Sequence, residues 1–252
     1  MKLRATVCYD GTEFCGFQRQ AEGVRSVQAE IEATLSKITG STVSVSGAGR
    51  TDTGVHASGQ VIAFQLAWAH SLAALTRAIN INLPLDVSVS EIAACDERFH
   101  PRFSAISRTY EYTVIFSPVP VPLVRRYAWV KDGMISTLDL PNIRQMNMAA
   151  AHLLGEHDFA AFGSAPSGEN TIRRVIQAQW ERMAETPLSL RFTIEANAFL
   201  FRMVRRIVNT LVRVGLGKLD PDQMGEILRS GDSARVQGLA PACGLNLVNV
   251  KY

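Results

Sequence analysis

The order in which two hydrophobic periods alternate through the first hundred residues restricts the fold of this chain more than any other feature. Leu3–Tyr9 carries apolar residues at every second position, the period of a strand. Ser26–Ile38 then sets Val27, Ile31, Leu35 and Ile38 at helical spacing, with Ser26 placed as an N-cap. Thr42–Ser46 and Gln60–Leu66 again read as strands, separated by the glycine-punctuated loop Gly47–Gly59. A second helix, Ser71–Ile81, also opens on serine, and Val87–Ala94 completes the series as a fourth strand. The order β-α-β-β-α-β is the split βαβ, or ferredoxin-like, arrangement.

The remainder predicts a second, longer α+β unit. It opens with a strand at Ala105–Phe116, which the proline-rich SPVPVP that follows ends firmly. Helices are expected at Leu140–Leu154, Phe201–Val214 and Pro221–Arg229, and strands at Tyr127–Val130, Arg174–Arg182, Leu188–Ala196 and Gly244–Val250. The expectation is therefore an α+β protein of two units, 1–104 and 105–252. No long linker separates them, so their sheets should pack side by side or merge.

Composition narrows the class. Hydrophobic residues make up 47% of 252, and no uninterrupted apolar run is long enough to span a bilayer. The opening MKLRATVCYDG passes from a short basic start straight into a strand pattern, without the apolar core of a secretory signal, so the expectation is a cytoplasmic protein with no membrane partner. Cys8, Cys15, Cys95 and Cys243 are scattered, with no CxxC pair or His at ligand spacing, which predicts reduced thiols and no metal. Net charge is only +3, yet residues 1–105 hold 9 basic and 10 acidic side chains while 106–252 hold 17 and 13. Of the 26 basic residues 21 are Arg, which suits bidentate contact with phosphate and stacking on bases, and also suits a GC-rich genome whose codons favour arginine.

Three stretches could carry chemistry. Gly47–Ala57, GAGRTDTGVHA, frames an arginine, an aspartate and a histidine with three glycines, which permit close approach of a substrate backbone. Asp52 beside a fixed cation such as Arg50 would stay ionised and could act as nucleophile or base. A surface turn with a solvated ion pair fits the same residues. A lone His56 more often holds loop backbone than catalyses.

In SAISRTYEY, strand alternation puts Arg108, Tyr110 and Tyr112 on one face, together with Ile106. Such a face could hold a phosphate and stack a base, or simply form a cross-strand aromatic cluster. On the helix Phe201–Val214, residues Arg202, Arg205, Arg206, Asn209 and Arg213 fall on one stripe, with Val204, Ile207, Val208 and Leu211 opposite. No acid occurs from Ala196 through Leu219. Solvated faces normally mix signs, so this stripe points to an anionic partner. There is no G-x-x-x-x-G-K-[ST], G-x-G-x-x-G, H-E-x-x-H or G-x-S-x-G, which removes the minimum parts of several nucleotide-, zinc- and serine-dependent chemistries.

Taken together, GRTDTGVHA, SRTYEY, FLFRMVRRIVNTLVRVG and the opening VCYDGTEFCGFQRQ resemble, in this order and spacing, the bacterial TruA-type tRNA pseudouridine synthases, and the resemblance runs over essentially the whole chain. It implies isomerisation of uridine to pseudouridine at positions 38, 39 and 40 of the tRNA anticodon arm, without cofactor or metal. Asp52 would be the catalytic aspartate, with Arg50 helping to expose the base. Tyr110 would pack on the target uracil, and Arg205 would be the basic partner of the aspartate. From the residues themselves, Arg108, Arg202, Arg206 and His56 are further candidates for substrate contact. The resemblance also implies ferredoxin-like, RRM-like units whose sheets join around a basic cleft, and a homodimer. Asn209 stands where the family pattern leads one to expect glycine. Two rival readings stay open: an RNA-binding protein without activity, against which the intact GRTD loop argues, and an N-glycosidase, which usually needs a second carboxylate.

Overall fold

Alternating apolar residues draw Lys2–Tyr9 into strand β1, and its inward side chains Leu3, Ala5, Val7 and Tyr9 are all buried. The computed structural model describes residues 1–21, 23–133, 140–166, 168–185 and 187–252. It resolves into two units, Met1–Ile106 with Asn246–Tyr252, and Ser107–Leu245.

In the first unit β1 is followed by helix α1 (Val27–Thr39), which the Ser26 hydroxyl caps by accepting the Ala29 amide. Val27, Ile31 and Leu35 form its buried stripe, each worth about 1.5–3 kcal/mol of transfer from water. Strands β2 (Val45–Gly47) and β3 (His56–Gln65), helix α2 (Leu72–Asn82, capped by Ser71) and strand β4 (Val87–Ala94) complete the early order. The last strand of the chain, β10 (Leu245–Lys251), joins this unit from Asn246 onward.

β1 lies between β4 and β3 and is antiparallel to both. The other edge of β3 is shared: β2 pairs antiparallel with its end at Phe64–Ile62, and β10 pairs parallel with its start at His56–Ala57. This sharing explains why β3 begins four residues before the strand expected at Gln60. The glycine punctuation suggested a loop, but Gly59 is a strand residue because β10 passes so closely that a Cβ there would stand 2.1 Å from the Val248 carbonyl oxygen.

The second unit is built on β5 (Ser107–Phe116), β9 (Leu188–Ala196), β8 (Ile172–Glu185) and β7 (Gly155–Asp158), antiparallel neighbours in that order, with β6 (Trp129–Lys131) parallel to the end of β5. Helices α3 (Ile143–Ala151), α4 (Met203–Gly215) and α5 (Asp222–Ser230) accompany it. α3 packs on β8, α4 and α5, so tightly at α4 that a Cβ on Gly215 would stand 2.6 Å from the Met146 sulfur. The sequence predicts no strand at β7: GEHD has no apolar alternation, and its strand conformation is set by pairing with β8. The unit holds sixteen basic and thirteen acidic residues, against ten of each in the first. All four cysteines are free, and among the described residues no helix is long and apolar enough to cross a membrane.

Candidate active site

Register decides where the first unit brings its loops together. Tyr9 of β1 stands opposite Ala57 of β3, so residues 10–17 and 48–55 meet at one end of the sheet. Asp52 opens a four-residue turn in which its carbonyl accepts the Val55 amide at 3.1 Å. Gly54, third in that turn, has φ +77°, a conformation that L side chains adopt only with strain.

The residues flanking Asp52 are held by the segment that follows β1. The Phe17 amide donates to the Thr51 carbonyl at 3.1 Å, and the Gly54 amide donates to the Phe14 carbonyl at 3.3 Å. Gly16, at φ +89°, comes so near that a Cβ would stand 2.7 Å from the Thr51 carbonyl oxygen, and one on Gly11 would stand 2.0 Å from that of Val55. Behind the loop, the buried Gln60 carboxamide donates to the Gly49 carbonyl at 2.7 Å and accepts the Gly49 amide at 3.3 Å. Asp52 is therefore a half-buried carboxylate on backbone fixed from both sides. Arg50 is exposed, and among the described residues no ion pair joins it to Asp52, so the pairing suggested by their closeness in sequence does not form.

His56, the first residue of β3, is buried, with Nδ1 3.0 Å from the Gly11 amide and 3.2 Å from the Asp10 carboxylate. One nitrogen cannot serve both. The backbone amide can only donate, so Nδ1 is the acceptor and carries no proton, while Asp10 Oδ1 accepts from the Thr12 amide and hydroxyl. The imidazole thus ties the loop after β1 to the end of the Asp52 loop.

Tyr9 lies beneath these loops, its hydroxyl 2.8 Å from Thr51 Oγ1, and burial pushes its pKa up to about 12. Between pH 10 and 12 the unfolded chain has lost this proton while the folded chain keeps it, so stability falls as pH rises through that window. The slope contributed is about 1.4 kcal/mol per pH unit. Urea denaturation over that range should show a shallower decline for Tyr9→Phe than for the wild-type chain; equal declines would contradict this origin.

On β5 of the second unit Arg108, Tyr110 and Tyr112 share the covered face, as alternation predicted, whereas Ile106 precedes the strand and is exposed. Tyr112 is wholly buried; its hydroxyl donates to the Pro241 carbonyl at 2.7 Å and its ring meets Trp129 edge-on, so it is a core residue. Tyr110 meets Phe199 edge-on at 5.0 Å and retains 7% exposure. Arg108 is 8% exposed and donates from Nη1 to the Asn197 carbonyl at 2.8 Å.

The α4 stripe differs from the exposed face its polarity suggested. Arg205, Arg206, Asn209 and Arg213 are half-buried. Segment 237–240 runs along the stripe: Arg205 Nε donates to the Ala240 carbonyl at 2.8 Å, the Ala240 amide donates to the Arg205 carbonyl at 3.3 Å, and Asn209 Nδ2 donates to the Gln237 carbonyl at 2.5 Å. Position 209 holds asparagine where a small residue was expected, and Gly238 lies so near it that a Cβ there would stand 3.0 Å from Asn209 Nδ2. Arg202 sits at the N-cap in the left-handed region, φ 61°, exposed, with its guanidinium 4.7 Å above the Phe201 ring. Among the described residues no carboxylate pairs with Arg202 or Arg206.

The site-building residues that the sequence reading did not single out are Tyr9, Gly11, Gly16, Phe17 and Gln60. The signal was present in VCYDGTEFCGFQRQ, where two glycines five residues apart face the Asp52 loop.

The profile of a family described as tRNA pseudouridine synthase matches residues 5–104 and 149–252, stretches that include the Asp52 loop and α4 but not Arg108 or Tyr110. The chain is 38% identical over 252 residues to the tRNA pseudouridine synthase A of Pseudothermotoga lettingae, covering 100% of this chain and 99% of that protein. Its identity to the protein of the same name from Brevibacillus brevis is 39% over 252 residues, covering 100% and 99%. The counterpart from Chloroflexus aurantiacus is 39% identical over 251 residues, covering 98% and 87%.

Proposed function

This chain belongs to the tRNA pseudouridine synthase family and is an isomerase acting on tRNA, and from that premise we propose that it converts uridine to pseudouridine at positions 38, 39 and 40 of the anticodon arm with Asp52 as its catalytic carboxylate. The observation that carries the proposal is the fixed backbone on both sides of Asp52, which confines a half-buried carboxylate to few conformations before substrate arrives. The bond between uracil N1 and C1′ breaks, the ring turns, C5 bonds to C1′, and the proton lost from C5 is balanced by one gained at N1. No atom enters or leaves, so no water needs activation and one carboxylate suffices, where a glycoside hydrolase ordinarily uses two. Asp52 acts on the sugar, as nucleophile at C1′ or base at C2′.

A base undergoing this exchange has to leave its stack, which calls for an aromatic surface and cations to hold the flipped nucleotide. Tyr110 takes the aromatic role, and Arg50, exposed and without a carboxylate, helps to expose the base. Arg205 serves as the basic partner of the aspartate, and Arg108, Arg202 and Arg206 bind the RNA. His56 contributes to the substrate site and also holds the loop, the latter supported by its bond to Gly11. The proposal includes ferredoxin-like units, a cytoplasmic homodimer, and catalysis without cofactor or metal. For the first unit the strand order β4-β1-β3, with β2 on the far edge of β3, supports that architecture.

The test is to incubate the protein with an unmodified anticodon stem-loop, map pseudouridine at each position and assay released uracil. Pseudouridine confined to positions 38–40 is the expected result. Free uracil would favour an N-glycosidase, and unchanged RNA would favour an inactive RNA-binding protein.

A further inference from the structure

The frame around Asp52 is itself anchored by a cluster that takes no part in the chemistry described above. Arg25, just ahead of α1, donates from Nη1 and Nη2 to the two carboxylate oxygens of Asp86 at 2.7 and 2.9 Å, and from Nε to Glu30 at 2.9 Å. Its guanidinium lies 4.1 Å above the Phe14 ring, and its carbonyl accepts the Cys15 amide at 2.9 Å. Phe14 is buried, and its carbonyl accepts the amide of Gly54, two residues beyond Asp52. Asp86 holds the other end of the same segment, because its backbone carbonyl accepts the Asp10 amide at 3.0 Å.

We propose that Arg25 and Asp86 are positioning residues for the isomerisation: together they clamp residues 10–17, and through that segment they hold the turn that presents Asp52. The physical need is specific. Glycines at 11, 16, 47, 49 and 54 make both loops intrinsically permissive, so their single folded arrangement must be imposed from outside. A bidentate guanidinium–carboxylate pair fixes orientation as well as distance, and stacking on Phe14 adds a planar constraint that an ammonium could not reproduce. The three charged groups are only partly exposed, 35% for Arg25, 26% for Asp86 and 32% for Glu30. Donation to the Asp86 carboxylate raises the Arg25 pKa further, so its guanidinium keeps its charge. Displacing a catalytic group by about 1 Å can cost on the order of 100-fold in rate, which is what a loosened clamp would do.

This inference rests on Asp52 being the catalytic carboxylate, and the wild-type chain and Asp52→Asn therefore accompany every measurement. Single-turnover rate at saturating enzyme, RNA affinity and thermal midpoint are compared for Arg25→Met, Asp86→Asn, Arg25→Lys and the double variant Arg25→Met with Asp86→Asn. Each of the first two is expected to slow the reaction roughly 10- to 100-fold with affinity within about threefold of wild type. The double variant should be no slower than the slower single, because both remove one clamp. Arg25→Lys should fall between, keeping charge without the fork. Should Arg25→Met not fold, Asp86→Asn and Arg25→Lys carry the same comparison. Unchanged rates, losses that multiply in the double variant, or losses that follow the unfolded fraction alone would overturn the clamp. An inactive wild-type chain would overturn the proposed function first, and the clamp with it.

Discussion

Asp52→Asn is expected to abolish isomerisation, lowering the single-turnover rate by at least about 10⁴-fold while RNA affinity stays within about threefold of wild type. The amide keeps the size and shape of the carboxylate but can neither attack the sugar nor remove its proton. The loop should persist, because the contacts that hold it run through backbone at Thr51, Gly54 and Val55 and through glycines 11 and 16, none of which involves the Asp52 side chain. A thermal midpoint close to wild type would confirm that persistence. Measurable turnover by Asp52→Asn would remove Asp52 from the chemistry.

The arginines of α4 and its cap should separate into two classes. Arg205 is tied through Nε to the Ala240 carbonyl, which aims its guanidinium, whereas Arg202 is exposed above Phe201 at the helix start. Arg205→Met is therefore expected to lower the single-turnover rate about 100-fold, the cost of losing one fixed electrostatic partner, with little change in affinity. Arg202→Ala and Arg206→Ala should leave that rate unchanged and reduce the slope of log affinity against log salt by up to ~0.9 each, one phosphate's worth. Equal behaviour of all three, with slopes and rate unchanged, would make the stripe a packing surface for segment 237–240 and nothing more.

Local signals in the sequence were sufficient for most of the elements and for the helix caps. Ser26 and Ser71 cap the helices that they were expected to cap, because a cap is a bond between neighbours. Leu3, Ala5, Val7 and Tyr9 are buried because their alternation leaves no other face for a core. GRTDTGVHA offers Asp52 as a candidate carboxylate, but a solvated turn fits the same glycines and charges, and only the resemblance over the whole chain separates the two. Contacts between residues distant in the chain decided the rest. Gly59 became a strand residue through β10, nearly two hundred positions away, and GEHD became β7 only beside β8. Arg50 lies two residues from Asp52 but does not pair with it, and His56 received a backbone partner from Gly11. The polar stripe of α4 was legible as a period, but segment 237–240 accepts bonds from Arg205 and Asn209 within it, and burial depends on what lies across a helix rather than along it. Side-chain period and capping are short-range properties and can be read from order alone; register, close approach and pairing are set when distant segments meet.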